Sequence, residues 1–161
     1  MTNTVTRDLI IKHEGVRHKV YLDSLGIPTI GVGFNLRRAD AATRLKQVGS
    51  DLKSCLDGTP LTDDQIYMLL DLDLIDCETD LKKLFGGDQA WSNLPPVAAT
   101  VLMDLRFNLG LKTLLTFKHT LADFKAGHFS LAADKLEKSL WYRQVGRRGK
   151  EDCDLLRKIG T

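Results

Sequence analysis

The sequence is short of cysteine, and the three it has, Cys55, Cys77 and Cys153, fall at no spacing that suits a metal knuckle. An odd number of thiols also gives no closed disulfide framework, so the expectation is reduced thiols packed as small apolar groups. The four histidines, His13, His18, His119 and His128, lack ligand spacing, and no metal or other cofactor is expected. The opening residues MTNTVTRDLIIKHEG lack a basic stretch followed by a long apolar run, so no secretory leader is read there. No stretch has the apolar length that a bilayer demands, and no stable membrane insertion is expected. An excess of one charge is also missing. The 23 basic and 21 acidic residues leave a formal net charge of +2, too little to argue for nucleic acid. Internal repeats and low-complexity segments are absent.

What is present is an ordinary globular composition, 43% hydrophobic and 27% charged, over 161 residues. That length makes one sizeable core or two small lobes sharing a helix. Residues 4–14 read as an amphipathic helix with Gly15 as its stop. Val20-Tyr21-Leu22, the turn-like Asp23-Ser24-Leu25-Gly26 and the extended run 29–33 make a hairpin with an irregular turn. Gly31 and Gly33 permit close backbone approach there. From about Ala39 the pattern becomes helical. Thr62-Asp63-Asp64-Gln65 is a capping box, and it opens a helix that runs to Phe85 before Gly86-Gly87. Pro95-Pro96 opens an almost wholly apolar helix through Asn108. Further helices are read at about 117–126, stopped by Gly127, at about 130–140 with Ser130 as cap, and at about 147–158. The pattern is α+β, mostly helical, with its β part near the N-terminus.

The chemistry concentrates between Glu14 and Gly33. Glu14 stands at a helix end, Asp23 in the hairpin turn and Thr29 on the returning strand. Two carboxylates facing each other across a gap suit glycoside hydrolysis, one protonating the leaving oxygen and the other serving the nucleophile, and a hydroxyl between them can hold a water. Taken bare, the same residues also read as a helix-end Glu and a turn Asp capping local backbone.

The run Glu14-Gly15-Val16-Arg17-His18-Lys19-Val20-Tyr21-Leu22-Asp23, continued through Gly26 and Thr29-Ile30-Gly31-Val32-Gly33, resembles the motif of T-even-type phage lysozymes (glycoside hydrolase family 24). In that motif, E-G-x-R-x-x-x-Y-x-D-x-x-G-x-x-T-I-G-x-G, the acid, the second carboxylate and the threonine of the catalytic triad map without a gap to Glu14, Asp23 and Thr29. Phe107-Asn108-Leu109-Gly110 is similar to the family's cleft-lining helix end, which places a substrate-binding amide at Asn108. Ser139-Leu140-Trp141-Tyr142-Arg143-Gln144 through Arg148 resembles the segment whose arginine lies beside the catalytic Glu, which maps to Arg148. Both are expected to bind substrate.

The resemblance implies a lysozyme-like fold over residues 1–161. It would comprise a small N-terminal lobe of about 14–61 with the first helix, a connecting helix of about 62–85, and a helical lobe of about 86–161. It implies a muramidase that inverts the β-1,4 bond between N-acetylmuramic acid and N-acetylglucosamine in peptidoglycan. The expected partner is the glycan strand alone, bound by a monomer without nucleic acid. The expected setting is an endolysin in the host cytoplasm, released to the cell wall by a separate pore protein to lyse the host. A glycan-binding module that does not cut, and a toxin or phage-tail component with the same chemistry, stand beside it. Two departures are visible. Phe34 stands where better-known members carry His, so a buried His–carboxylate pair is expected to be absent. The chain stops at Gly160-Thr161, so a tail packing back on the first lobe is expected to be missing. Arg143, Arg147, Arg148 and Lys150 read as a solvated helix start, with Arg148 turned to the cleft at little cost to stability. Trp91 and Trp141 read as packing residues rather than sugar platforms.

Overall fold

The computed structural model describes residues 3–160; Met1, Thr2 and Thr161, which the reading of the two chain ends touched, lie outside the described residues. The α+β expectation holds: helices dominate, and the described residues carry one three-stranded antiparallel sheet near the N-terminus. No helix among them is long and apolar enough to cross a membrane. Two compact units form, Asp8–Ile75 and a second made of residues 1–7 with Asp76–Thr161. The divisions fall inside the first helix and inside the longest one.

The Asp8–Ile75 unit holds most of α1 (Thr4–Glu14), the strands β1 (Arg17–Leu22), β2 (Pro28–Gly31) and β3 (Phe34–Asn35), the short helices α2 (Ala41–Gln47) and α3 (Leu52–Leu56), and the first part of α4 (Asp63–Leu84). β2 is the middle strand. Tyr21 and Leu22 of β1 lie opposite Thr29 and Pro28, with an irregularity towards the Arg17–Gly31 pair. Across the other edge, Thr29 faces Asn35 and Ile30 faces Phe34. The extended run read as 29–33 therefore stops at Gly31, and Val32-Gly33 turns the chain into a third strand too short to show any alternation. The capping box at the start of α4 is made as expected: the Gln65 backbone N–H donates to Thr62 Oγ1 at 3.1 Å, and the Thr62 N–H donates to Gln65 Oε1 at 2.9 Å. Ile10, Ile30, Phe34, Leu45, Leu61, Ile66 and Leu74 fill the core.

Phe34 has a consequence that its apolar character did not advertise. Its ring lies 4.4 Å from the Arg38 guanidinium, close enough for a cation–π contact. The same guanidinium donates to Asp73 Oδ2 at 2.8 Å and forks onto both oxygens of Asp40 at 2.9 Å. The histidine is missing, as read, but a buried carboxylate still has a cation, now supplied by Arg38 from above the ring. Burial pushes the Asp73 carboxyl up despite Arg38, whereas the Arg38 hydrogen bond draws Asp40 down.

The second unit contains α5 (Asp88–Ser92), α6 (Pro96–Leu109), α7 (Leu111–Leu114), α8 (Lys118–Ala126), α9 (Phe129–Glu137), α10 (Leu140–Val145) and α11 (Arg147–Ile159). α6 is buried along most of its length, and α11 packs on α9, α6 and α10. The Thr6 and Thr100 hydroxyls meet at 2.7 Å inside this unit, tying the first turn of α1 to α6. Gly127 ends α8 in the left-handed conformation, as its position predicts. The helix read at 130–140 is two helices. α9 starts at Phe129 without a side-chain cap, so Ser130 is not its cap but lies inside it. The cap belongs to Ser139, whose hydroxyl accepts from the Tyr142 N–H and starts α10.

Arg38→Met tests the ion network. Leaving Asp73 buried without its cation should cost about 3–5 kcal/mol at neutral pH. Without Arg38 the folded Asp73 holds its proton to still higher pH, and Asp40 loses the largest cause of its depressed titration. Both changes weaken the fold only where unfolded carboxylates are ionised, so the deficit should shrink as pH falls towards about 4. Thermal melts of both proteins from pH 4 to 7 measure this, and a deficit independent of pH would contradict it.

Candidate active site

Within the Asp8–Ile75 unit, α1 closes with the Gly15 N–H donating to Ile11 O at 2.8 Å, which leaves Glu14 on the final turn. Its half-buried side chain lies directly on the β2–β3 turn. A Cβ built on Gly33 would stand 2.6 Å from Glu14 Oε1 and 3.0 Å from its carboxyl carbon, and Gly33 has φ +62°. Only glycine gives both the bare surface and the left-handed backbone at low cost. The close approach expected of the hairpin glycines is thus the seat of the carboxyl group itself.

Asp23 shapes the turn that follows β1. Its Oδ1 accepts from the Leu25 N–H at 2.8 Å and the Ile27 N–H at 2.9 Å, while its own N–H donates to Ile27 O at 3.0 Å. The capping reading of Asp23 is therefore true of one oxygen. The other, Oδ2, makes no hydrogen bond to a described residue. Thr29, 4% exposed, donates its hydroxyl hydrogen to Ile27 O at 2.9 Å, which leaves its oxygen able to accept. Tyr21, directly across the sheet from Thr29, feels both carboxylates. Burial first, then the charges of Glu14 and Asp23, push its phenol above its ordinary value, against the pull of Arg17. Glu14, Asp23 and Thr29 thus belong to one unit, and both carboxylates act on one tyrosine of its sheet.

Asn108 and Arg148 belong to the other unit. Asn108 is exposed at the end of α6, and its Oδ1 accepts from the Trp141 indole N–H at 2.8 Å. Trp141 itself is buried, and Trp91 packs edge-on against Phe85 with ring centroids 5.9 Å apart, in line with their reading as packing residues. Arg148, read as turned to the cleft at little cost to stability, is tied into its own unit. It is 9% exposed, and it forks onto Asp104 of α6, Nε to Oδ2 at 3.1 Å and a terminal nitrogen to Oδ1 at 2.7 Å. Removing it would take the forked guanidinium from a fully buried carboxylate, so a small stability cost is no longer the expectation. Helical periodicity did not reveal this, because the partner lies on a distant helix. Lys150 is paired with Asp154 at 2.8 Å, so the basic run is not a uniform cationic face.

One turn along α11 from Arg148, Asp152 is fully buried beside the same pair. Desolvation first, then the charge of Asp104, hold the Asp152 carboxyl well above its ordinary value, with Arg148 pulling the other way. Both Asp152 oxygens are buried without a hydrogen-bond partner among the described residues, an environment that favours the protonated carboxyl.

Two outcomes follow from these contacts. Gly33→Ala should displace the Glu14 carboxyl, and a displacement of this order costs activity on the order of 100-fold. Gly58→Ala supplies the control, since Gly58 also has positive φ (+100°) but nothing within 4 Å of an added Cβ. Equal activity loss in the two variants would mean that backbone strain alone is responsible. Asp152→Asn keeps the size of the side chain and removes the proton linkage. The folded protein holds the Asp152 proton while the unfolded chain releases it above about pH 4, so this group's stabilisation is complete below that pH and is lost as pH rises, by about 1.4 kcal/mol per unit. The variant should therefore melt higher than the parent at pH 7 and gain nothing near pH 4. A uniform gain, or none, would show that Asp152 is ionised in the fold.

Comparison with known proteins gives a consistent family. The phage lysozyme family model matches residues 11–156. The pre-baseplate central spike protein Gp5 of Enterobacteria phage T4 is 27% identical over 151 residues, which cover 91% of this chain and 26% of that protein. This chain thus spans about a quarter of the spike protein's length. Probable T4-type lysozyme 1 of Dictyostelium discoideum is 23% identical over 148 residues, covering 88% of this chain and 87% of the relative. With the family model spanning nearly the whole length, the chain belongs to the phage lysozyme family.

Proposed function

We propose that this chain is a muramidase that hydrolyses the β-1,4 bond between N-acetylmuramic acid and N-acetylglucosamine of peptidoglycan, with inversion at the anomeric carbon. The family supports the general kind, a lysozyme acting on peptidoglycan. The observation that carries the finer reading is the division of labour in the hairpin: Asp23 spends one oxygen on its turn and keeps the other, and Thr29 has its hydrogen already committed to Ile27 O.

Glu14 is the acid and gives its proton to the leaving glycosidic oxygen. A water approaches from the opposite face. Thr29 Oγ1 can only accept from that water, and Asp23 Oδ2 takes its other hydrogen, which leaves a lone pair on the water for the anomeric carbon. As the carbon–oxygen bond to the water forms, the bond to the leaving sugar breaks. The water proton passes to Asp23 and the Glu14 proton to the departing hydroxyl. The Asn108 amide N–H₂ makes no hydrogen bond to a described residue and is a donor for the glycan. Arg148 enters as a glycan-side cation on the family resemblance, and its fork on Asp104 supports an added structural share.

The proposed setting is an endolysin acting as a monomer. It would be held in the host cytoplasm until a separate pore opens the way to the cell wall, and its action lyses the host. The likeness to a phage spike protein favours a second setting, a wall-cutting part of a phage particle, with the same chemistry.

Digestion of purified peptidoglycan, followed by turbidity and by proton NMR of the new anomeric signals, tests the reading. Glu14→Gln should lose at least about 100-fold of the activity while melting as the parent does, and the parent should release the α-anomer first. Cleavage retained by Glu14→Gln would remove Glu14 from its role. A parent that binds the glycan without clearing it would be a binding module. If the β-anomer came first, Asp23 would be the nucleophile instead.

A further inference from the structure

Tyr21 is left over by the mechanism above, yet its position is unusual. Residues directly opposite in an antiparallel pair share a face of the sheet. Tyr21 is opposite Thr29, and Thr29 is opposite Asn35, so the three form one row across all three strands. Two of the three are occupied locally. The Thr29 hydroxyl donates to Ile27 O, and Asn35 Oδ1 accepts from the Arg37 N–H at 2.7 Å. The Tyr21 phenol makes no hydrogen bond to a described residue. Its ring is nevertheless held in place, with the Arg17 guanidinium 4.9 Å from its centroid. The row therefore presents a half-buried tyrosine whose O–H has no partner among the described residues, beside the threonine that is read as holding water.

We propose that Tyr21 is a substrate-contacting residue whose phenol donates a hydrogen bond to an oxygen of the bound glycan, a hydroxyl or an acetamido carbonyl, on the Thr29 side of the scissile bond. The proposal rests on the muramidase reading and names a contact within the same site. Other roles fit less well. A structural role for the hydroxyl would call for a protein acceptor, and none is found among the described residues. A proton-transfer role needs a phenol that titrates near neutral pH, and the charges of Glu14 and Asp23 push the other way. The same charges keep the phenol protonated, so it remains a donor wherever the enzyme works. Arg17 has a defined share: stacked on the ring, it orients the phenol without touching the reacting atoms.

Tyr21→Phe removes the hydroxyl and keeps the stack. Binding is measured in the Glu14→Gln background with a tetrasaccharide of alternating N-acetylglucosamine and N-acetylmuramic acid, and turnover in the parent background. Loss of one neutral hydrogen bond of about 1 kcal/mol corresponds to a Kd raised about fivefold. KM should rise by a similar factor with little change in kcat, an unshifted pH profile and an unchanged Tm. An unchanged Kd overturns the proposal, as does a lowered Tm with normal affinity, which would make the hydroxyl structural. A fluorinated tyrosine at position 21, which keeps the shape but ionises at lower pH, provides the second arm. Its Kd should match the parent while the phenol is protonated and rise as it ionises; a Kd flat across that range overturns the proposal. Cleavage by Glu14→Gln would sink the muramidase roles, whereas unchanged affinity in Tyr21→Phe sinks this contact alone.

Discussion

The carboxyl group of Glu14 resting on the bare backbone of Gly33 is the contact on which the rest of the hairpin unit depends. α1 has to end where it does for Glu14 to occupy its last turn, and the chain has to come back under it after β1 and β2. The Val32-Gly33 turn makes that return, and in doing so it creates β3 and gives β2 a neighbour on each side. Thr29 is then buried as a middle-strand residue with its hydroxyl direction fixed by Ile27. A side chain at position 33 would therefore disturb more than the space it filled.

Each unit also sets an arginine fork against a pair of aspartates, with opposite outcomes. Arg38 bridges Asp40 and Asp73, and because Asp40 reaches solvent, burial pushes only Asp73 up while Asp40 is drawn down. Arg148 stands against Asp104 and Asp152, both fully buried. There burial and the neighbouring Asp104 charge outweigh the pull of Arg148, and the Asp152 carboxyl is pushed well up. Water access to one carboxylate decides which arrangement forms.

The sequence made much of this legible, and the gaps have identifiable causes. α1, α4 and α6 announce themselves because long amphipathic or apolar runs end in caps and glycines, signals that are local in the chain. β3 is invisible, since two residues carry no alternation. Ser130 reads as a cap from its residue type alone; the break after Glu137, which gives that role to Ser139, is fixed by tertiary packing. Glu14, Asp23 and Thr29 were singled out by motif, not by spacing, which alone could not separate catalysis from capping. The burial of Arg148 depends on Asp104, far away in sequence, and no local pattern encodes it. Tyr21 stood in the motif throughout, but its place beside Thr29 is a matter of register, which appears only once the strands are paired.

The placement of the thiols gives the molecule a built-in report on its own opening. Cys55 lies sealed in the hairpin unit, Cys77 and Cys153 in the helical one, and burial pushes the Cys153 thiol up to about 11. A shielded, protonated sulfur reacts slowly, because modification requires an exposed thiolate. Alkylation at each position therefore counts excursions in which that part of the chain unfolds. Peptide mapping of the label would give separate opening rates for the two units of an unaltered protein.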